Sequence, residues 1–282
     1  EDLSRGLGDV YKRQPLWNSF SFFSTYANAD DITFEDLEKA SPVEDRPMMD
    51  RWIISSMQSL IKTVNEKMEN YYLYEVIPPL MNFVDELTNW YVRSNRKRFW
   101  KEKDENDIDK INAFKTLHEV LLEFSKSMAP VLPFICEKIY QGLIEENNES
   151  IHYCDYPEAD ENLIDKDLED NIELAKKVIK SVRNLRVKLK LPNKQPLNSV
   201  KIITKDKEIE EKLNVISDLI KNEVNVKEVL FDFDVENWIN YEFKPNFKVL
   251  GPKLGEQINV LSEYLKNVDE NISNDILQGN GV

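Results

Sequence analysis

Cysteine is nearly absent from this chain. Cys136 and Cys154 are the only two, so no disulfide framework is available, and the usage fits a reducing compartment. Glycine is also scarce, at seven of 282 residues, beside 32% charged and 41% hydrophobic residues. That balance describes a globular, mostly helical chain rather than a disordered one. No apolar run approaches the length of a membrane span, and no signal peptide is visible; together these predict a cytoplasmic protein. Only two histidines occur, His118 and His152. His152 and Cys154 form an HxC pair, but no second pair lies at zinc-ligand spacing, so no metal site is expected. His118 lies near apolar helical positions and reads as a satisfied boundary residue. Basic charge is in deficit, with a formal net charge of −15. This argues against indiscriminate nucleic-acid binding while leaving room for a selective basic patch on an acidic body. The chain is long enough for two domains and a sizeable core.

Such a patch is present in Asn89–Trp100, NWYVRSNRKRFW. At about 100° per residue, Trp90, Arg93, Arg96, Lys97 and Trp100 share one helical stripe roughly 120° wide. The opposite side carries Leu80, Val84, Leu87 and Tyr91, the face a bundle buries. Arg98 points toward that apolar side, where burial and pairing are expected. The cationic front suits RNA: Arg and Lys neutralise phosphates, and aromatic rings stack on unpaired bases. Taken by charge alone, four basic residues on an exposed helix are more often an ordinary solvated face.

The stretch resembles the helix following the catalytic domain of isoleucyl-tRNA synthetases, where a Trp-Tyr pair, spaced arginines and a closing Phe-Trp recur. Valyl enzymes carry an acidic residue soon after a comparable Trp-Tyr pair, and this region is basic. DRWIISSMQSL, Asp50–Leu60, resembles the first bundle helix of the large class I synthetases for aliphatic amino acids, valyl and isoleucyl alike. SMAPVLPFICEKIYQGL, Ser127–Leu143, resembles the closing helix of that bundle; Pro130 stops one helix and Pro133 opens the next. VRNLRVKLKLPNKQPL, Val182–Leu197, and KPNFKVLG, Lys244–Gly251, resemble parts of the C-terminal domain of the eukaryote-like isoleucyl branch. The latter could cradle phosphate but lacks P-loop spacing, so a strand-to-helix connection is the expected role.

In chain order, residues 1–14 have no sustained apolar period, and DVYKRQ back-translates into a transposon-library adapter. They read as an adapter-derived tail outside the fold, or else as an ordinary flexible N-terminus. Residues 15–47 read as a linker from a preceding catalytic domain. If that domain is absent, Trp17, Phe20, Phe22, Phe23 and Tyr26 are expected to form an exposed apolar patch; Asp31–Pro47 looks like polar loop. The helical bundle is expected over 48–155. Asp50 is read as the N-cap of its first helix, and Tyr71–Trp100 as the second helix, started or kinked by Pro78 and Pro79. The third is expected over Ile111–Met128. A charged junction follows over 156–197. It is acidic from Asp155 to Glu173, with Lys166 its only base, and wholly basic among charged residues from Lys176 to Lys194. A helix over Asp165–Lys190 places those charges favourably for its dipole; Arg183, Arg186, Lys188 and Lys190 are further RNA-contact candidates. A truncated α+β domain is expected over 198–282. Its strands are placed at Ser199–Thr204, Val224–Phe231 and Trp238–Phe247, its helices at Asp206–Lys221 and Leu254–Val268, and a helix start and glycine turn after Asn271.

The expected fold is therefore mainly α, a class I synthetase anticodon-binding bundle followed by a smaller, incomplete α+β domain. The resemblance implies a fragment of an isoleucine–tRNA ligase, whose parent uses ATP and magnesium to attach isoleucine to tRNA. HIGH-like and KMSKS-like signatures and an editing domain are absent here, so no catalytic residue, cofactor or metal is expected in this stretch. Its expected partners are the anticodon stem-loop of an isoleucine-accepting tRNA and catalytic and editing domains in cis. Two readings stay open beside this one: a valyl- or leucyl-synthetase fragment, and a free-standing helical module that binds tRNA or acidic proteins.

Overall fold

A computed structural model describes residues 2–102, 107–145, 149–235, 238, 243–255, 257–266, 268, 272 and 276. The chain divides into two compact units, Glu1–Leu185 and Arg186–Val282.

In the first unit the helices are α1 (Asp2–Ala29), α2 (Phe34–Glu38), α3 (Met48–Glu69), α4 (Ile77–Asp85), α5 (Arg93–Trp100), α6 (Ile108–Met128) and α7 (Pro133–Gln141). Helix α8 (Lys166–Lys188) carries the chain out of this unit. The expected third helix corresponds to α6. Glu86–Val92 is π-helical and joins α4 to α5 without a break, so the expected second helix is one rod with a register shift inside it. Its start follows the prolines: Pro78 sits in the first turn of α4, where its missing N–H costs nothing. Pro133 does the same for α7.

The core comes from apolar residues at helical spacing. Trp52, Ile53, Met57, Leu60, Ile61 and Val64 of α3 are buried, as are Phe114, Leu117, Leu121, Phe124 and Met128 of α6. Leu80, Val84, Leu87 and Tyr91 are at most 2% exposed, as the stripe analysis expects. Phe83 stacks on Phe124 at 5.4 Å between ring centroids, and Phe99 meets Phe114 edge-on at 5.0 Å.

Three sequence expectations change here. Residues 15–29, expected as part of a linker from a preceding domain, are the second half of α1, and the expected exposed aromatic patch is largely covered. Phe23 is buried beside Phe114 and His118, and Phe22 lies 5.1 Å from Phe99. Phe20 comes so close to Gly142 that a β-carbon there would lie 2.6 Å from its ring. Only Trp17 of this group is exposed. The aromatics find the bundle itself as a partner, so covering them takes no further domain. Second, Asp31–Pro47 holds α2, opened by a capping box between Thr33 and Asp36. Third, Asp50 does not cap α3, which already begins at Met48; its carboxylate is fully buried in the first turn.

In the second unit, strands β1 (Leu197–Ile203) and β2 (Val226–Asp232) pair in parallel, with Val200 opposite Val229. Parallel pairing needs a crossover, supplied by α9 (Lys207–Val215) and α10 (Ser217–Val224), which break the single helix expected there at Ile216. Asn225 ends α10 in the left-handed conformation that asparagine tolerates. Helices α11 (Phe247–Leu254) and α12 (Gln257–Lys266) follow. KPNFKVLG thus runs into a helix. The strand expected over Trp238–Phe247 does not form in its described part: 243–246 are irregular and Phe247 opens α11, while 239–242 lie outside the described residues. Of the helix and turn expected after Asn271, only Ile272 and Ile276 are described.

Candidate nucleic-acid interface

The basic stretch is held by its own back face. Tyr91, Asn95 and Phe99 are buried. Arg98 turns inward and grips Asp50 with both terminal nitrogens, at 2.7 and 2.8 Å. Tyr91 Oη donates to the same carboxylate at 2.8 Å, and Arg98 also pairs with Asp109 at 2.9 Å. Two-pronged guanidinium–carboxylate pairing of this kind fixes orientation as well as adding energy. Burial pushes the Tyr91 phenol well above its ordinary value, helped by the Asp50 charge. Burial pulls the Arg98 pKa down, but its hydrogen bonds to Asp50 together with the charges of Asp50, Tyr91 and Asp109 outweigh that and raise it. Arg98 is thus a structural cation.

With Arg98 inside, Arg96 and Lys97 project outward. Both are exposed, and among the described residues no carboxylate pairs with either. Trp100 is 54% exposed, its ring 6.5 Å from Tyr26 of α1. Arg93 is half-buried, its guanidinium 5.7 Å from the Trp90 ring. Trp90 sits inside the π-helical turn, where each residue advances less than in an α-helix. It faces α8 instead of joining Trp100: Lys176 Nζ lies 5.8 Å from the Trp90 ring and 4.6 Å from that of Trp52, and bonds Glu86 at 2.6 Å. The five stripe residues therefore separate, Trp90 beside α8 with Arg93 near its ring, Trp100 beside α1, and Arg96 and Lys97 exposed on α5.

Of the candidates on α8 and after it, Arg183 is half-buried, and Lys188 and Lys190 are exposed. Arg186 is a correction. It is 3% exposed, and its terminal nitrogens donate to the carbonyls of Pro192, Gln195, Val224 and Asn225 at 2.8–3.2 Å. Four carbonyls consume the donors a phosphate would need, so Arg186 pins the second unit together. In the sequence it is one more base in a basic run; only the fold distinguishes it. Asp50 and Lys176 were missed for the same reason. A buried acid within the first turn of an apolar helix is the one signal that could have flagged Asp50.

Cys154 Sγ lies 3.2 Å from Tyr140 Oη, and His152 is exposed. Among the described residues no three His, Cys, Asp or Glu side chains gather as metal ligands, and no helix is long and apolar enough to cross a membrane.

Residues 50–203, more than half of the chain, match the family described as the anticodon-binding domain of tRNA ligase. The chain belongs to that family. It is similar to the isoleucine–tRNA ligase of Clostridium novyi (strain NT), 40% identical over 259 residues that make up 90% of this chain and 24% of that protein. The isoleucine–tRNA ligase of Treponema denticola is 37% identical over 287 residues, 97% of this chain and 26% of its own length. The chain spans about a quarter of the length of these curated relatives. The resemblance to a eukaryote-like branch rests on its motifs alone.

Proposed function

We propose that this chain is the tRNA-binding, anticodon-recognising part of an isoleucine–tRNA ligase. The observation that carries this reading is that the family match spans the helix bearing the exposed cations. In the whole ligase, ATP and magnesium would activate isoleucine in a catalytic portion outside this chain, and an editing domain would act in cis; the setting would be cytoplasmic. Within this chain no residue has a chemical step. Arg96 and Lys97, with Arg93, neutralise phosphates of the anticodon stem-loop. Trp100 and Trp90 offer ring faces to bases at opposite edges of the basic surface. Lys188, Lys190 and Arg183 are supporting contacts.

The test is the Arg96→Gln, Lys97→Gln double variant, which keeps helix propensity and removes two charges that pair with no carboxylate among the described residues. Binding to an isoleucine tRNA anticodon stem-loop should weaken, and the slope of log affinity against log salt should flatten by about 1.4–1.8 units. Unchanged affinity and slope, with wild-type binding measurable, would remove the site from α5.

A further inference from the structure

Along the inner stripe of α1 the side chains change size. Phe20, Phe23, Ser24 and Ala27 follow one another at helical spacing, two large residues and then two small ones. Helix α1 then ends in a fixed turn. The Ile32 and Asp31 amides donate to the carbonyls of Ala27 and Asn28 at 2.8 and 3.4 Å, and Asp31 takes the left-handed conformation. The Thr33–Asp36 capping box starts α2 at once and brings the Phe34 ring 5.9 Å from His118 of α6. The space that Ser24 and Ala27 leave unfilled belongs to a cavity of about 350 Å³ between α1, α2, α6 and the residues after α7. Sites for small molecules have volumes of about 300–1,000 Å³, mostly apolar linings and a few polar groups.

The lining selects the occupant. Phe20, Phe23 and Phe34 offer flat aromatic walls, and Ala27, Leu37 and Leu143 are buried aliphatic residues. Ser24, Asn28 and Thr33 are polar but neutral, and Asn28 and Thr33 are exposed to solvent. His118 is the one ionisable residue among those that line the cavity. Burial lowers its pKa, which favours the neutral ring. An anion finds no cation here, and a cation finds no carboxylate. His118 adds a directional requirement. Its Nε2 bonds the Leu143 carbonyl at 2.7 Å; a carbonyl only accepts, so Nε2 carries the proton and Nδ1 presents a lone pair. His118 is 9% exposed, and Nδ1 is shielded from water with no hydrogen-bond partner among the described residues. A buried acceptor left unmade is costly, and a ligand N–H or O–H would complete it.

We propose that this cavity binds a small, neutral aromatic molecule that carries a hydrogen-bond donor. Its ring lies against Phe23 and Phe34, and its donor is directed to His118 Nδ1. None of the lining residues is among the RNA contacts, so this site and the tRNA-binding reading stand or fall separately.

The test titrates the full chain with indole and follows amide shifts by NMR. Benzothiophene, of similar shape but without a donor, and the anion indole-3-acetate are the comparison probes. Indole should bind saturably, with shifts confined to residues around the cavity. Benzothiophene should bind about three- to tenfold more weakly, the worth of one hydrogen bond, and indole-3-acetate more weakly than indole. Ala27→Leu fills the space and should abolish indole binding. Phe34→Ala removes a partly exposed wall and should weaken it by about two- to tenfold. Circular dichroism checks folding, and if Ala27→Leu fails to fold, Phe34→Ala carries the test. Indole shifts that are absent up to its solubility limit, or scattered over the surface, overturn the site. So does unchanged indole affinity in the folded variants. Benzothiophene binding as tight as indole overturns the role of His118, and equal binding of indole-3-acetate overturns the requirement for a neutral ligand.

Discussion

His118 shows how burial turns an unremarkable residue into a pH-dependent one. It is 9% exposed; Nε2 bonds the Leu143 carbonyl at 2.7 Å, and the Phe23 and Phe34 rings lie 5.8 and 5.9 Å away. Nδ1 has no hydrogen-bond partner among the described residues. Burial lowers the His118 pKa, and the Leu143 carbonyl only partly opposes this. A group whose folded pKa is depressed binds its proton more readily in the unfolded chain. Its contribution is therefore present above the unfolded value, about 6.5, and is lost as pH falls through the folded value. The melting temperature should drop as pH falls below about 6.5, and less so in His118→Gln. Parallel curves for the two proteins would show that His118 does not titrate on unfolding. The same burial rules the satisfied boundary residue expected from the sequence only half right: one ring nitrogen is satisfied and the other is not.

Between elements, the Asp50 carboxylate is the joint. It ties the first turn of α3 to the end of the α4–α5 rod through Arg98 and Tyr91, and Arg98 carries the tie to α6 through the Asp109 side chain and carbonyl. The Asp50 side chain is fully buried and that of Arg98 is 14% exposed. Breaking one side of such a pair is costlier than the pair is stabilising, because a charge is left uncompensated. Asp50→Asn should cost about 3–5 kcal/mol by chemical denaturation. It should also weaken stem-loop binding with little change in salt slope, because Asp50 positions α5 without touching phosphate. A loss under about 1 kcal/mol would mean that Asp109 suffices to hold Arg98. The π-helical turn belongs to the same scale. It shifts the register so that Trp90 faces α8 and not the Trp100 side, a placement that uniform α-helical spacing misassigns.

For the whole molecule, acidity and RNA binding are compatible because the charges are sorted. Elsewhere several bases are held by partners: Lys110 by Asp30 at 2.6 Å, Arg46 by Glu119 at 2.6 Å, Arg186 by carbonyls. The remaining acids repel polyanions that do not fit the basic tract. Random duplex DNA should therefore compete for the chain more than about tenfold less well than the stem-loop at about 0.15 M salt. Equal competition would show that sign alone governs binding.

The sequence by itself determined the mainly helical class, the apolar faces of α3, α4 and α6, the proline-opened starts of α4 and α7, and the family. These rest on local periodicity, proline geometry and motif residues, all of which act within a few positions along the chain. Tertiary structure alone decided which cations are free. Arg96 and Arg98 are two residues apart in one basic run, yet one is exposed and the other locked to Asp50, 48 positions earlier. Within the same turn of α8, Arg186 is buried against four carbonyls while Arg183 is half-buried. Charge is a property of the residue, but its availability depends on partners that only the packing of distant helices brings within reach.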